Sequence, residues 1–251
     1  MSRTIVVGDI HGCFVEFQEL VDKLKLGPRD RLVLVGDLMD KGPDPVSCVR
    51  LARELGADCL LGNHEEKHLR WRKHEDRRAQ DPNHKNPMKP LPEEVAAQNA
   101  ALSAEDVEWM RKLPITLRLG NWLAVHAGVL PNHTVEAQST DKKLWDKMIR
   151  VRWVDDSGEF VGLDPEDPRQ PEGCRPWMEV FNGEMNVVFG HAVHRLSEPR
   201  VDRRPNGFEC WGIDTGCVFG GRLTALVLET KEVIQVPARR VWRDPPFPIP
   251  A

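Results

Sequence analysis

Three short apolar runs in the first third of the chain each end at a glycine that is followed by polar residues. The runs cover residues 4–7, 31–35 and 58–61, and the clusters after them read GDIHG, GDLMDKG and GNHE. Stretches 14–26 and 46–55 carry apolar residues at helical spacing, and a charged helix is predicted from about residue 64. Strand, loop and helix repeated in this order predict an α/β fold with parallel strands and crossover helices.

The polar clusters are expected to meet in space. In a parallel sheet the carboxyl ends of the strands lie along one edge, where ligands bind. The side chains brought to this edge, although distant in sequence, would be Asp9, His11, Asp37, Asn63 and His64. Two later apolar runs end in similar clusters, VHAG at residues 125–128 and FGHAVH at residues 189–194, which add His126 and His191.

Two aspartates, one asparagine and three histidines of these clusters (His11, His126 and His191) supply oxygen and imidazole donors without a thiolate. That mixture suits divalent ions such as Mn²⁺, Fe²⁺, Co²⁺ or Zn²⁺ better than Ca²⁺. Six protein ligands exceed what one open catalytic metal needs, and they fit two metals about 4 Å apart if one carboxylate bridges them. Asp37, on the middle of the first three strands in sequence, is the predicted bridge. Two cations would also compensate the cost of burying this carboxylate.

The five motifs, in this order, resemble those of the phosphoprotein phosphatase branch of the calcineurin-like metallophosphoesterases. The signatures of that family are GDxHG, GDxxDRG, GNHE, a histidine in HxG and a histidine in a late GH, and all recur between Gly8 and His191. The resemblance implies two facing mixed β-sheets flanked by helices, the αββα sandwich of the family. It also implies an enzyme, a metal-dependent hydrolase of phosphoric esters or anhydrides.

The resemblance assigns a role to each matching residue. The expected ligands of two divalent ions are, in chain order, Asp9, His11, Asp37, Asn63, His126 and His191, with Asp37 shared. Mn²⁺ is the expected metal, with Co²⁺, Fe²⁺, Zn²⁺ or Mg²⁺ as alternatives. His64 would be the general acid that protonates the leaving oxygen, and Asp40 would orient it. A hydroxide that bridges the metals would attack phosphorus in line.

The residues expected to bind the substrate phosphate depart from the family pattern. Lys41, in DKGP, stands where the family carries the arginine of DRG. Lysine contacts a phosphate as a point charge and lacks the bidentate fork of arginine. A second phosphate-binding arginine of the family follows the loop-rich region at residues 151–175, and Arg175 is the expected match.

The block GIDTGCVFGGRLTALVLE, residues 212–229, narrows the expected substrate. It is similar to the LDTGCxWGGxLT block of bacterial symmetrical diadenosine tetraphosphatases and ApaH-like phosphatases, whereas eukaryotic protein phosphatases carry SAPNY near this point. The expected substrates are phosphoanhydrides, such as dinucleoside polyphosphates or capped or triphosphate 5′ ends of RNA. The alternatives are a phosphatase acting on phosphoserine, phosphothreonine or phosphotyrosine in proteins, and a non-catalytic phosphate-binding module. The last would predict a lost ligand or acid, and none is missing.

Two further patterns overlap the third cluster. Residues 64–68 match the HExxH motif of zinc proteases, which needs both histidines within a helix. Here Gly62 and Asn63 place His64 at the start of the helix, which argues against that motif. The segment LRWRKHEDRR, residues 69–78, could form a basic surface for polyphosphate or RNA ends, although Glu75 and Asp76 favour a solvated helical face.

Composition sets the remaining expectations. A net charge of −4 and a pI near 6.2 do not favour a general nucleic-acid binder. No segment approaches the length of a membrane span, so no membrane partner is expected. Six cysteines without a CxxC motif predict reduced thiols in a cytoplasmic protein. The predicted domains are a metallophosphoesterase domain at residues 1–236 and a proline-rich tail at residues 237–251, expected as a loose strap or disordered.

Overall fold

A computed structural model describes residues 2–162, 170–246 and 248–250. Its first sheet contains the three predicted parallel strands, β1 (Thr4–Val7), β2 (Arg31–Leu34) and β3 (Asp58–Cys59). Two strands from the end of the chain complete it, β12 (Arg222–Val227) and β13 (Glu232–Pro237), both antiparallel to their neighbours. The order across the sheet is β13-β12-β1-β2-β3.

The second sheet also has five strands. The hairpin β4 (Thr116–Leu119) and β5 (Trp122–Val125) forms one side, and β9 (Asn186–Phe189) pairs parallel to β5. Strand β11 (Glu209–Gly212) pairs parallel to β9, and β10 (Arg200–Arg203) pairs antiparallel to β11. The order is β10-β11-β9-β5-β4, so both sheets are mixed.

The alternation of side chains along the strands packs the two sheets face to face. Val6 and Val33 of the first sheet share one buried cluster with Ala124 and Val188 of the second. Because successive residues of a strand point to opposite faces, Ile5 and its neighbours on that face pack against the helices instead. This arrangement confirms the two facing mixed sheets that the family resemblance implied.

Helices cover the outer faces. The first sheet packs against α1 (Phe14–Leu24) and α2 (Pro45–Glu54), and the long helix α3 (Asn63–Gln80) follows β3. The other helices are α4 (Glu93–Ala101), α5 (Ala104–Arg111), α6 (Val135–Thr140), α7 (Lys142–Met148) and α8 (Trp177–Val180). Among the described residues, no helix is both long and apolar enough to cross a bilayer.

The loop-rich region after residue 150 contains a small third sheet that periodicity does not reveal. Its strands are β6 (Trp153–Val154), β7 (Phe160–Val161) and β8 (Arg175–Pro176), in the order β7-β6-β8. Strands of two residues are too short for an alternating pattern to be recognised in sequence.

The described part of the proline-rich tail lies against the domain. The backbone N–H of Arg239 and the indole Nε1 of Trp242 each donate to Glu16 Oε1 on α1, at 2.9 Å. The backbone N–H of Trp242 also donates to the Val218 carbonyl at 3.0 Å. The boundary at residue 237 stays a prediction, and the segment around Arg239 and Trp242 is attached to α1.

Core packing on α1 gives a matched stability test. Phe17 is completely buried, whereas Val15 of the same helix is 49% exposed. We expect Phe17→Ala to lower the free energy of unfolding by about 3–5 kcal/mol, since it removes buried atoms and leaves a cavity. Val15→Ala should change it by no more than about 0.5 kcal/mol. Denaturant titration measures both; equal losses would contradict the assigned face of α1.

Candidate metal centre

The predicted ligands lie at the carboxyl ends of five strands. Loops after β1, β2 and β3 of the first sheet carry Asp9, His11 and Asp37 and lead to Asn63, the first residue of α3. The ends of β5 and β9 in the second sheet add the two remaining imidazoles, His126 and His191. The centre therefore forms only where the two sheets meet.

Asp37 is the residue that both halves of this cluster share. One group of close side chains contains His11, Asp37 and His64, and another contains Asp37, His126 and His191. In each group the possible ligand atoms all lie within 4.8 Å of one another. The side chain of Asp37 is almost fully buried, so its two oxygens face these groups and not solvent.

The histidines present lone pairs to this carboxylate. His11 Nδ1 donates to the Met39 carbonyl at 2.9 Å, and His126 Nδ1 donates to the Val35 carbonyl at 2.8 Å. Since a carbonyl can only accept, each ring carries its proton on Nδ1 and has an unprotonated Nε2. Burial lowers the pKa of both His11 and His126, which keeps the rings neutral.

Acceptors therefore face acceptors around Asp37, although His11 Nε2 also accepts from Lys41 Nζ at 2.8 Å. His11 Nε2 lies 3.5 Å from Asp37 Oδ2, and His126 Nε2 lies 3.4 Å from Asp37 Oδ1. The carbonyl-type oxygen Oδ1 of Asn63 is also 3.1 Å from His126 Nε2. Buried lone pairs that point at one another are stabilised by a cation between them. The chemistry and direction of these donors fit divalent metal ions.

The buried negative charges of the centre also indicate a cation site. Asp9, Asp37 and Asp214 are all buried. Burial, together with the neighbouring carboxylates of Asp214 and Asp37, raises the pKa of Asp9 well above its ordinary value. Burial likewise raises the pKa of Asp214. For Asp37, burial opposes ionisation, but the neighbouring imidazoles, foremost that of His126, and the Lys41 ammonium lower its pKa. Two divalent ions would offset the charge of all three carboxylates.

Backbone strain is concentrated in this centre. Of the seven described residues other than glycine with positive φ, five belong to the polar clusters: His11, Asp37, Asp40, Lys41 and His191. Their φ angles lie between 44° and 67°, in the left-handed region that costs a side-chain-bearing residue energy. The strands therefore end in sharp turns that aim these side chains inward.

Glu65 holds the loop that carries Asp37, a role that sequence reasoning missed. Its carboxylate accepts the backbone N–H groups of Asp37, Leu38 and Met39 at 2.8, 2.8 and 3.0 Å, and that of Gly62 at 3.1 Å. Burial beside Asp37 raises the pKa of Glu65, while these N–H donors oppose the rise. The sequence does contain a signal for this role. Glu65 follows Gly62, the residue before α3, by three positions, which is the capping-box spacing.

His64 is oriented by a buried carboxylate. Its Nδ1 contacts Asp40, and its Nε2 lies 3.8 Å from Asp37 Oδ2, on the side of the centre. Asp40 also accepts from Lys67 Nζ and from His68 Nε2, the latter at 2.8 Å. The second histidine of the HExxH match therefore binds Asp40, which gives it a role other than that of a protease zinc ligand.

The two residues predicted to bind phosphate lie in different surroundings. The ammonium of Lys41 lies 2.8 Å from His11 Nε2, at the edge of the centre, and 5.2 Å from the centroid of the Phe219 ring. Arg175 is exposed on β8, an edge strand of the small sheet. No hydrogen bond or salt bridge within the described ranges joins Arg175 to the other predicted site residues.

Arg152 is the arginine that the fold brings to the centre. Its Nη2 donates to the His191 carbonyl at 3.3 Å. Burial lowers the pKa of Arg152, while the carboxylates of Asp214, Asp9 and Asp37 raise it. The family pattern places this arginine at the end of the loop-rich region, whereas Arg152 lies at its beginning, so no signal in the sequence points to it. The pairing of β6 with β8, which folds that region back, could not be read from the sequence.

Comparison with known proteins adds an independent observation. The sequence model of the calcineurin-like phosphoesterases matches residues 2–195, more than half of the chain. The chain belongs to the calcineurin-like phosphoesterase family. It is accordingly a hydrolase of phosphate esters or anhydrides, and the family implies a dimetal centre, for which the groups around Asp37 are able to bind metal.

Relatives in this family resemble the chain over almost its whole length. The symmetrical bis(5'-nucleosyl)-tetraphosphatase of Aromatoleum aromaticum is 30% identical over 287 residues, covering 92% of this chain and 96% of the relative. An asymmetrical bis(5'-nucleosyl)-tetraphosphatase of Oceanobacillus iheyensis is 29% identical, covering 94% and 92%. A crystal structure assigned as a candidate diadenosine tetraphosphatase has a TM-score of 0.73 at 29% identity, covering 94% and 93%.

The position of Asp9 can be tested through Gly190. A Cβ atom at Gly190 would overlap the Asp9 carboxylate, which now accepts the backbone N–H of His191 at 3.0 Å. We expect Gly190→Ala to displace Asp9 and weaken Mn²⁺ binding about tenfold or more, measured by calorimetric titration of metal-stripped protein. Gly27→Ala is the control, because its nearest neighbour would lie at an ordinary 3.6 Å. Equal Mn²⁺ affinity in both variants would contradict a place for Asp9 in the centre.

Proposed function

We propose that this protein hydrolyses the phosphoanhydride bond of dinucleoside polyphosphates with the help of two divalent ions. The observation that carries the proposal is the buried Asp37 carboxylate, which belongs to both donor groups and has a neutral imidazole facing each oxygen. The proposed ligands are Asp9, His11, Asp37, Asn63, His126 and His191. Mn²⁺ is the proposed metal because oxygen and imidazole donors without thiolates suit it.

The bound ions would supply an activated water and neutralise charge on the phosphoryl group. Lys41 and Arg152 would bind its remaining oxygens from two sides, since one lies beside His11 and the other beside His191. Both are cations at the edge of a buried site, where charge-assisted hydrogen bonds are strongest. Arg175 stays a prediction as a further phosphate contact.

His64 would donate the proton that the leaving oxygen needs. Its Nδ1 is held by Asp40, so the proton available for transfer is the one on Nε2, which faces the centre. The Asp40 carboxylate stabilises the doubly protonated ring before transfer and fixes its orientation. Asp40 is itself fixed by Lys67 and His68, and His68 Nδ1 accepts from Asn99 Nδ2 at 3.0 Å. We assign His68 as a positioning residue that acts on His64 through Asp40.

The substrate class rests on the relatives, which include symmetrical and asymmetrical tetraphosphatases. We favour symmetrical cleavage of diadenosine tetraphosphate, to two molecules of adenosine diphosphate, because of the GIDTGC block shared with that group. The described cysteines are all unpaired and buried, which supports a reducing cytoplasm as the proposed location.

A side-by-side panel tests the substrate. With Mn²⁺, we expect diadenosine tetraphosphate to give the highest kcat/KM, above a triphosphate-ended RNA, a phosphopeptide and p-nitrophenyl phosphate. Product analysis should find adenosine diphosphate alone. A phosphopeptide preferred over every nucleotide would overturn the proposal in favour of a protein phosphatase, and adenosine triphosphate with adenosine monophosphate would overturn the symmetry.

The role of His64 as proton donor can be tested with two substrates that differ in their leaving group. We expect His64→Asn to lower kcat about 10²- to 10⁴-fold for an alkyl phosphate, whose leaving oxygen needs a proton. The loss should be much smaller for p-nitrophenyl phosphate, whose leaving group departs as a stable anion, and the metal content should be unchanged.

His68→Ala should lower kcat less than His64→Asn does, again more for the alkyl phosphate than for p-nitrophenyl phosphate. It should affect kcat more than KM. His68→Gln, which keeps a donor toward Asp40, should recover part of the loss. His133→Ala, on a partly exposed loop that contacts Glu159, is the control. If His68→Ala slows both substrates equally, its role is only structural.

A further inference from the structure

A basic groove lies along α3, beyond the candidate centre. It encloses a cavity of about 650 Å³ between α3, α7 and the last turn of α5. We define the basic groove by the residues that supply its charge and its aromatic surface, which are Arg70, Lys73, Arg77, Arg111, Lys142 and Trp145. The α3 residues among them belong to the LRWRKHEDRR segment, whose role the proposed chemistry leaves unexplained.

Positive charge in the basic groove is only partly compensated. Glu66 pairs with Arg70 at 3.4 Å, and Asp76 pairs with Arg111 at 3.8 Å. Lys73 and Arg77 have no salt-bridge partner within the described ranges, although the whole chain has a net charge of −4. A concave surface with uncompensated cations attracts an anionic ligand.

The groove also offers an aromatic surface. Trp145 is partly exposed in it, and the Lys142 ammonium lies 4.1 Å from the centroid of the Trp145 ring. Leu61 and Leu69 line the same cavity. An indole face beside cations is the combination that binds a nucleobase next to phosphate groups.

The groove begins close to the centre. Glu66, which lines it, lies one turn after Asn63 on α3. Arg150 Nη2 donates to Glu66 Oε2 at 2.6 Å, so a further cation contacts this end of the groove. At 1.5 Å of rise per residue, Arg70 and Lys73 lie about 10 and 15 Å from Asn63 along the helix axis. A polyphosphate bound at the centre could therefore extend toward these side chains.

We propose that the basic groove binds the nucleotide moiety of the substrate that lies beyond the bond being cleaved; this inference rests on the proposed function. A volume of about 650 Å³ is in the range of small-molecule sites. Binding of an RNA strand would need a longer track with several stacking residues, whereas the groove has one tryptophan in its described lining. A single nucleoside with its phosphates matches both the size and the charge.

The test removes two uncompensated cations from the groove. We expect the double variant Lys73→Ala and Arg77→Ala to raise KM for diadenosine tetraphosphate about tenfold or more through lost charge-assisted contacts. KM and kcat for p-nitrophenyl phosphate should not change, because this substrate ends at the centre. The double variant Lys23→Ala and Arg29→Ala removes the same charge from exposed positions at the opposite end of the sheet, and should leave both substrates unaffected.

A third variant tests the nucleobase contact. Trp145→Leu should also raise KM for diadenosine tetraphosphate, and should leave KM and kcat for p-nitrophenyl phosphate unchanged. Thermal unfolding of each variant shows whether the fold is retained.

The outcomes separate the two proposals. If the wild-type protein does not hydrolyse diadenosine tetraphosphate, the proposed function fails and this inference fails with it. If the wild-type protein does so and the Lys73/Arg77 variant has the same KM within twofold, only the groove assignment is overturned. An equal rise in KM for p-nitrophenyl phosphate, or a rise confined to triphosphate-ended RNA, would also overturn it.

Discussion

The buried carboxylate of Asp37 is the group on which the rest of the site depends. Each of its oxygens faces an imidazole Nε2 whose ring proton is committed to a backbone carbonyl on the other side. Lys41 Nζ lies 2.8 Å from His11 Nε2 and covers that lone pair in part. Without further positive charge the other lone pairs would face one another in a region of low dielectric constant. The backbone of this region is also strained, because Asp37 and its neighbours have positive φ angles. Facing lone pairs and a strained backbone are characteristic of a site that bound ions stabilise.

The surrounding structure keeps Asp37 in this position. Glu65 ties the loop after β2 to the start of α3 through four backbone N–H groups. Gly62 leaves space for the loop, because a Cβ at that position would overlap the Asp37 carboxylate. The second sheet completes the site by presenting His126 and His191 from the ends of β5 and β9. Neither sheet alone carries the whole set of donors.

Much of this could be predicted from the sequence. The first three strands begin where the apolar runs begin and end within two residues of them, and the polar clusters after them converge because parallel strands share an edge. The packing of two sheets against each other was predicted only by the family resemblance. The residues of Thr4–Val7 indicate a buried strand but not which element covers each of its faces. The clusters are recognisable because their residues are contiguous in sequence.

Contacts between distant segments could not be predicted. Arg152 reaches the centre because β6 pairs with β8, and strands of two residues leave no pattern in the sequence. Arg175 follows the same region and is exposed, which the order of residues alone does not reveal. His68 matched a protease motif by spacing, and only the position of Asp40 gave it another partner. In each case the tertiary contact, and not the local sequence, decides the surroundings of the side chain.

The central claim concerns the number of ions around one shared carboxylate, and metal content tests it most directly. Protein purified without chelators and loaded with Mn²⁺ would be measured by elemental analysis and by anomalous diffraction at the manganese edge. We expect two ions per chain, both held by donors around Asp37. A single ion, or no ion, in active protein would contradict it.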